Sequence, residues 1–251
     1  VTRIRFAHTL RAELTKTFSL RSIRFVLAGA VVVPAALGLA SGLAFDPTRH
    51  AQFPLESHGF ETAGFGQPIM ILLAALIVGT EYVDGQLRTT LLTTPRRGRV
   101  LGAKLLLIGA LSGLGGIATT GASVLLEHAA LGAYGLSPTE FSDGMAWNLL
   151  GVGVNYTLIG LLAAGVTILA RTYVVTLIVL VPLVLGMTIS LVGMIPALRF
   201  LPDLAGIQLL MPYPGMGLLD SFPGGIVMAL WTVVVLSLAA ILFRSRDVFA
   251  V

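Results

Sequence analysis

The sequence predicts an all-α polytopic membrane protein with six transmembrane helices, and three observations carry that prediction. Of its 251 residues, 56% are hydrophobic and only 11% charged, and the mean hydropathy is +0.93, far outside the range of soluble domains. Six uncharged apolar segments recur near 25–45, 65–80, 105–126, 145–170, 172–195 and 224–243. Each approaches the ~20 residues that a helix needs to cross a hydrocarbon core of ~30 Å. The charges fall between these segments and are sorted by sign. One set of connections (1–24, 81–104, 171 and 244–251) holds 14 Lys and Arg, whereas the opposite set (46–64, 127–144 and 196–223) holds only Arg49 and Arg199. By the positive-inside rule this asymmetry places both termini in the cytoplasm of a multi-pass protein of the cell membrane. No linker long enough to separate a second domain is evident, so residues 1–251 read as one transmembrane domain.

Residues 1–24 open the chain as an interface helix. Phe6, Leu10, Leu14 and Phe18 form an apolar stripe, and Arg3, Arg11, Lys16 and Arg21 supply positive charge. Such a helix is expected to lie along membrane lipid, apolar face in the acyl boundary and cations on the headgroups. A secretory signal peptide is the competing reading, but the basic region is too long and too regularly patterned for one. The first span contains Pro34, which removes a helix hydrogen bond and should kink or weaken it. The second span is short unless it runs on through Tyr82.

Residues 81–99 form a polar, basic island between the second and third spans. Val83, Leu87, Thr90 and Leu91 recur at three- and four-residue spacing, which gives one apolar and one basic helical face. Pro95 and Gly98 end the pattern. A short amphipathic helix on the lip of two spans is suited to docking rather than to catalysis.

The third span is rich in glycine (Gly109, Gly113, Gly115, Gly116 and Gly121), as helices that pack backbone to backbone in lipid require. Between the fourth and fifth spans Arg171 is the whole connection, which predicts a tight hairpin. Pro182 should weaken the fifth span as Pro34 does the first. Five prolines (Pro196, Pro202, Pro212, Pro214 and Pro223) then break up an apolar run over 196–223. That run is expected to form short extracytoplasmic re-entrant helices, their irregular backbone shielded by protein. Within the spans, Asn155 and Tyr156 stand out as polar residues near the centre of the fourth. An amide in hydrocarbon needs partners, which a neighbouring helix or a cargo can supply, so both residues are candidates for lining a cargo pathway.

The chemistry that is missing narrows the function. With no cysteine there is no thiol nucleophile and no cysteine-based metal site. No phosphate-binding loop of the Gly-x-x-x-x-Gly-Lys-Ser/Thr type occurs, so no nucleotide site is expected in this chain. The four histidines (His8, His50, His58 and His128) lie outside the predicted spans and show no His-Glu-x-x-His spacing. No catalytic and no metal-ligating residues are therefore assigned. The basic residues flank apolar spans, so they imply topology rather than nucleic-acid binding. An ion-coupled carrier or a channel is the alternative to an ATP-driven transporter. Carriers, however, usually hold ionisable residues at mid-membrane, and the predicted spans have none. An uncharged interior suits a hydrophobic or amphipathic cargo such as a drug, a lipid or a lipophilic natural product.

Glu81-Tyr82-Val83-Asp84-Gly85-Gln86-Leu87-Arg88-Thr89-Thr90-Leu91 after a hydrophobic span, followed by Arg- and Pro-rich residues and Lys104, resembles the ABC type-2 transporter permeases. Members of that family commonly have Thr where Gln86 stands here. Together with the six-span layout, the resemblance covers nearly the whole chain. It implies that residues 84–94 are a cytoplasmic coupling helix seated on an ATPase subunit, with Glu81, Tyr82, Asp84, Gly85, Leu87, Arg88 and Leu91 as its coupling residues. It further implies two ABC ATPase subunits that bind ATP and Mg, and a second permease, identical or not. It also places helices comparable to those of 196–223 before the last span, at the exit of the pathway.

Overall fold

The computed structural model describes residues 5–46, 54–83, 97–213 and 215–245, and among them every regular element is helical. In chain order the α-helices are α1 (Phe6–Ser19), α2 (Arg21–Leu43), α3 (Ala63–Val83), α4 (Arg97–Ala130), α5 (Asp143–Ala170), α6 (Tyr173–Pro182), α7 (Pro202–Gly206) and α8 (Ser221–Ser245). Single turns of tighter helix fill much of the connections at Leu55–Ser57, Phe60–Thr62, Gly132–Tyr134, Pro138–Glu140, Pro196–Phe200 and Ile207–Leu209. Among the described residues five helices are long and apolar enough to cross a membrane: α2, α3, α4, α5 and α8. The short second span predicted from hydropathy does run past Tyr82, because Ala63–Val83 is one helix of 21 residues.

The fifth predicted span is different. Over 172–195 the regular α-helix stops at Pro182 after 10 residues. It continues only through a wide turn at Leu183–Met187, in which Gly186 takes a φ of 100°. Proline withholds a backbone donor, and a left-handed residue reverses the local path of the chain, so the segment is a short helix with an irregular extension rather than a straight span. Pro34, by contrast, lies inside an unbroken α2. Its carbonyl oxygen accepts from the Ser123 hydroxyl at 3.0 Å, which ties α2 to a neighbouring helix at this point.

Helices α3 and α5 are the most buried of the spans, and α2 and α8 the least. Helix α4 packs against both α2 and α5, α5 also against α3 and α8, and α1 against the beginning of α4. The glycines of α4 explain how closely α5 approaches. A Cβ on Gly113 would stand 2.3 Å from Thr157 Oγ1, and one on Gly116 would stand 2.5 Å from Tyr156 Cδ2. Such contacts admit no larger residue without a shift, which is the reason small residues line helix interfaces in lipid. Helices α5 and α6 form the predicted hairpin across Arg171, which adopts a φ of 56°, and Thr172 caps α6 by accepting from Val174 N at 3.2 Å.

The apolar stripe of α1 faces outward, with Phe6, Leu14 and Phe18 exposed, as expected of a lipid-facing surface. The adjoining face, Thr9, Glu13 and Thr17, is buried against the helical bundle. Lys16, expected on lipid headgroups, instead reaches inward to Glu81. The last span begins at Ser221, so Pro223 lies in its first turn and not in the preceding connection. Of the broken segment before it, the short helices are present, and α7 is entirely buried.

Candidate functional site

Two of the chain's buried polar clusters lie toward opposite ends of α4, roughly 35 Å apart along its axis at 1.5 Å per residue. That separation is close to the thickness of a hydrocarbon core, ~30 Å. The first cluster is built around Lys104. Its ammonium bonds Glu13 Oε2 at 2.7 Å and the Ile77 carbonyl at 3.3 Å, and stands 3.3 Å from Glu81 Oε1. Glu81 also pairs with Lys16. Three of the four charges are almost wholly enclosed: Glu13 and Glu81 are each 3% exposed and Lys104 is 4% exposed. Two carboxylates and two ammonium groups balance, so the cluster carries no net charge. An enclosed charge without a partner costs several kcal/mol, and mutual pairing is what permits these groups to be buried.

This network joins three helices where the segment between α3 and α4 begins and ends. Glu81 sits in the last turn of α3, Lys104 in the second turn of α4, and Glu13 and Lys16 on α1. The first turn of α4 is also bound to the last turn of α8, because Arg97 Nη1 donates to the Arg244 carbonyl at 3.2 Å. A cation placed on the terminal carbonyls of a helix is favourable both as a cap and against the helix dipole. Of the predicted coupling residues, Glu81 is therefore buried in an ion network and does not face an aqueous partner. Tyr82 is half-buried and packs on the hydrophobic core. Asp84, Gly85, Leu87, Arg88 and Leu91 lie outside the described residues.

The two candidate pathway residues lie between the clusters, fully enclosed at 0% exposure. Gln67 Nε2 donates to Asn155 Oδ1 at 2.7 Å, and Asn155 Nδ2 donates to the Gly206 carbonyl at 2.8 Å. Gly206 makes that reach possible, since a Cβ there would stand 2.8 Å from Asn155 Nδ2. The Tyr156 hydroxyl donates to the Ala63 carbonyl at 2.6 Å. Both side chains are thus ties between helices and expose no surface to a cargo in this conformation. Asn148, seven residues earlier on α5, repeats the pattern by donating to the Leu210 carbonyl at 3.0 Å. Two asparagines on one helix face thereby satisfy carbonyls of the irregular segment that carries α7, which is what allows such a backbone to be buried.

Asn155→Leu is accordingly expected to lower stability by about 1–2 kcal/mol, the sum of two modest intramembrane hydrogen bonds. Denaturation in detergent micelles measures it. Unchanged stability with an altered response to cargo would return Asn155 to the pathway.

The second cluster gathers at the far end of α4. Glu127, 1% exposed, accepts from the Ser41 hydroxyl at 3.1 Å and meets His58 Nδ1 at 3.0 Å. It ties α2 to α4 and to the connection before α3. Sequence reasoning passed over Glu13, Asn148 and this cluster. Glu13 did carry a signal, as the sole acid in residues 1–24.

The family model described as ABC-2 family transporter protein matches residues 9–196, well over half of the chain. No curated protein matches it.

Proposed function

The chain belongs to the ABC-2 transporter family and is the membrane component of an ABC transporter; from that premise we propose that it exports a hydrophobic or amphipathic cargo, driven by ATP hydrolysis on separate ATPase subunits. Two such chains, identical or not, would form the pathway, with residues 84–94 seated on the ATPases and both termini on the same, cytoplasmic side. The observation that carries this reading is the Glu13–Lys104–Glu81–Lys16 network. It stands at both roots of the 84–96 segment, and it holds α1, α3 and α4 to one another through charge pairs rather than through apolar contacts alone.

Buried ion pairs are intolerant of partial separation, because losing one partner exposes the full desolvation cost of the other. A displacement delivered at 84–94 would therefore move the ends of α3 and α4 together, with α1 attached to both. Through Arg97 the same displacement would reach the end of α8. The cargo pathway would open by a change between two packed arrangements, each favoured by a different nucleotide state of the ATPases.

The direct test is reconstitution. Purified from its host membrane under mild conditions, the chain is expected to bring an ATPase with it. In proteoliposomes that ATPase should be stimulated by lipophilic compounds and accompanied by their transport. Transport that persists without ATP hydrolysis would replace this reading with that of a secondary transporter or channel.

A further inference from the structure

The segment that follows the break at Pro182 lies deep in the bundle. Trp231 stands about 15 Å along α8 from the end remote from Lys104, at 1.5 Å per residue, and its indole Nε1 donates to the Phe200 carbonyl at 2.8 Å. On α5, Asn155 stands about 18 Å from the same end and holds the Gly206 carbonyl. In a hydrocarbon core of ~30 Å both levels are near the middle. Leu210, held by Asn148, is about 10 Å closer to that end than Gly206. The chain thus climbs through α6, turns at mid-depth and completes its crossing through residues 200–210. The fifth span is a discontinuous one.

Arg199 is thereby drawn to the middle of the membrane. Its guanidinium lies over the Phe200 ring, 5.0 Å from the centroid. It makes no hydrogen bond and no ion pair among the described residues. Nε is enclosed, but the side chain as a whole is partly exposed, so the two terminal nitrogens are the accessible ones. Asp203, the acid nearest in sequence, is not its partner: it is 6% exposed and accepts from the Thr188 hydroxyl. Arginine stays charged in any protein environment. A cation held at this depth without an acid beside it is costly and marks a functional site.

The surroundings of Arg199 say what kind of partner fits. Leu191, Met194, Ile195 and Phe200 are exposed, and from Gly186 to Ile195 the backbone departs from the α-helix. Irregular backbone at membrane depth is tolerated only where protein covers it or where it lines a path. Breaks of this kind near the midplane are where transporters hold what they carry. A single cation among apolar side chains selects an anion borne on an apolar body. An ordinary bilayer lipid keeps its head about 15 Å from the midplane, half the thickness of the core, so only a molecule in transit brings a head to this level.

We propose that Arg199 is the mid-membrane counter-ion for the anionic head of an amphipathic cargo, a sulfate, phosphate or carboxylate whose apolar body lies along Met194, Ile195 and Phe200. The guanidinium offsets the cost of bringing a negative head into hydrocarbon. This assignment names the class of cargo and rests on the transport reading above.

Native mass spectrometry of the purified permease in a non-ionic detergent, with equal trace amounts of dodecyl sulfate, dodecyltrimethylammonium and dodecylphosphocholine, measures the head preference without ATP. One dodecyl sulfate per chain should be retained about tenfold over either other head, equivalent to 1.4 kcal/mol. Arg199→Gln should abolish the preference, and Arg199→Lys, which keeps the charge, should preserve it within about threefold. Arg24→Gln removes an exposed cation at the opposite end of the bundle and should leave the preference intact. Without dodecyl sulfate, Arg199→Gln should melt at the wild-type temperature, because no partner is lost. A lower melting temperature would mean that Arg199 already serves a structural pair and would overturn the site. Equal retention of the three heads, or an equal loss in Arg24→Gln, would reduce it to general adhesion. The two readings separate in proteoliposomes. ATP-driven export of cationic or neutral amphiphiles that Arg199→Gln leaves unaltered would keep the transport reading and remove this assignment. A head preference lost in Arg199→Gln, with no ATP-driven export of any amphiphile, would remove the transport reading and leave Arg199 as an anion site.

Discussion

Lys104→Met is expected to destabilise the protein by about 3–5 kcal/mol, the cost of removing one partner from a buried pair. Methionine fills nearly the same volume, so packing changes little, and the loss is electrostatic. Among the described residues the enclosed Glu13 carboxylate would keep no cation beside it, since its ion pair is with Lys104 at 2.7 Å. Glu81 would retain Lys16, which is partly exposed. Adding Glu13→Gln to Lys104→Met should recover much of the stability, because neutral groups of similar volume can replace a buried ion pair at little cost. The double-mutant cycle, measured by denaturation in micelles, isolates the pair. Strictly additive losses would show that Glu13 and Lys104 do not depend on each other.

Cargo export should respond differently. Glu81→Gln leaves Lys104 paired with Glu13 and releases Lys16 to water, so its stability loss should be well below that of Lys104→Met. It does cut the charge link between the end of α3 and α1. Under the proposed function, Glu81→Gln is expected to reduce ATP-driven export about tenfold while leaving basal ATPase activity within about twofold, in the range of ordinary coupling energies. Arg88→Ala, within the segment proposed to seat on the ATPase, should have the same signature. Export and hydrolysis rates measured together in proteoliposomes decide the matter. Normal export by both variants would remove the assignment of 84–94 as the coupling element.

The two substitutions separate roles that one buried network combines. Lys104 is chiefly what makes the burial of acids possible, and Glu81 is chiefly what connects α3 to α1. A purely structural network would lose export only in proportion to stability. A transmitting one loses export in Glu81→Gln while the protein remains folded.

The membrane class, the approximate positions of five spans and the sorting of charge were legible in the sequence. Hydropathy and charge are sums over local stretches, and a stretch of ~20 apolar residues must cross a bilayer or be buried whatever its neighbours do. The motif at 81–91 likewise pointed to the family before any contact was known. What only the tertiary structure decided is who meets whom. Glu13 and Lys104 are 91 residues apart, and Gln67 and Asn155 are 88 apart. Their pairing depends on the rotation and register of packed helices, which no local sum contains. The same holds for Glu81, which the resemblance made a coupling residue and which packing turned inward. The break after Pro182 was only half legible. Proline marks a weak point, but Gly186 reverses the chain there at a φ of 100° because the surrounding turns admit it, and hydropathy is blind to backbone conformation.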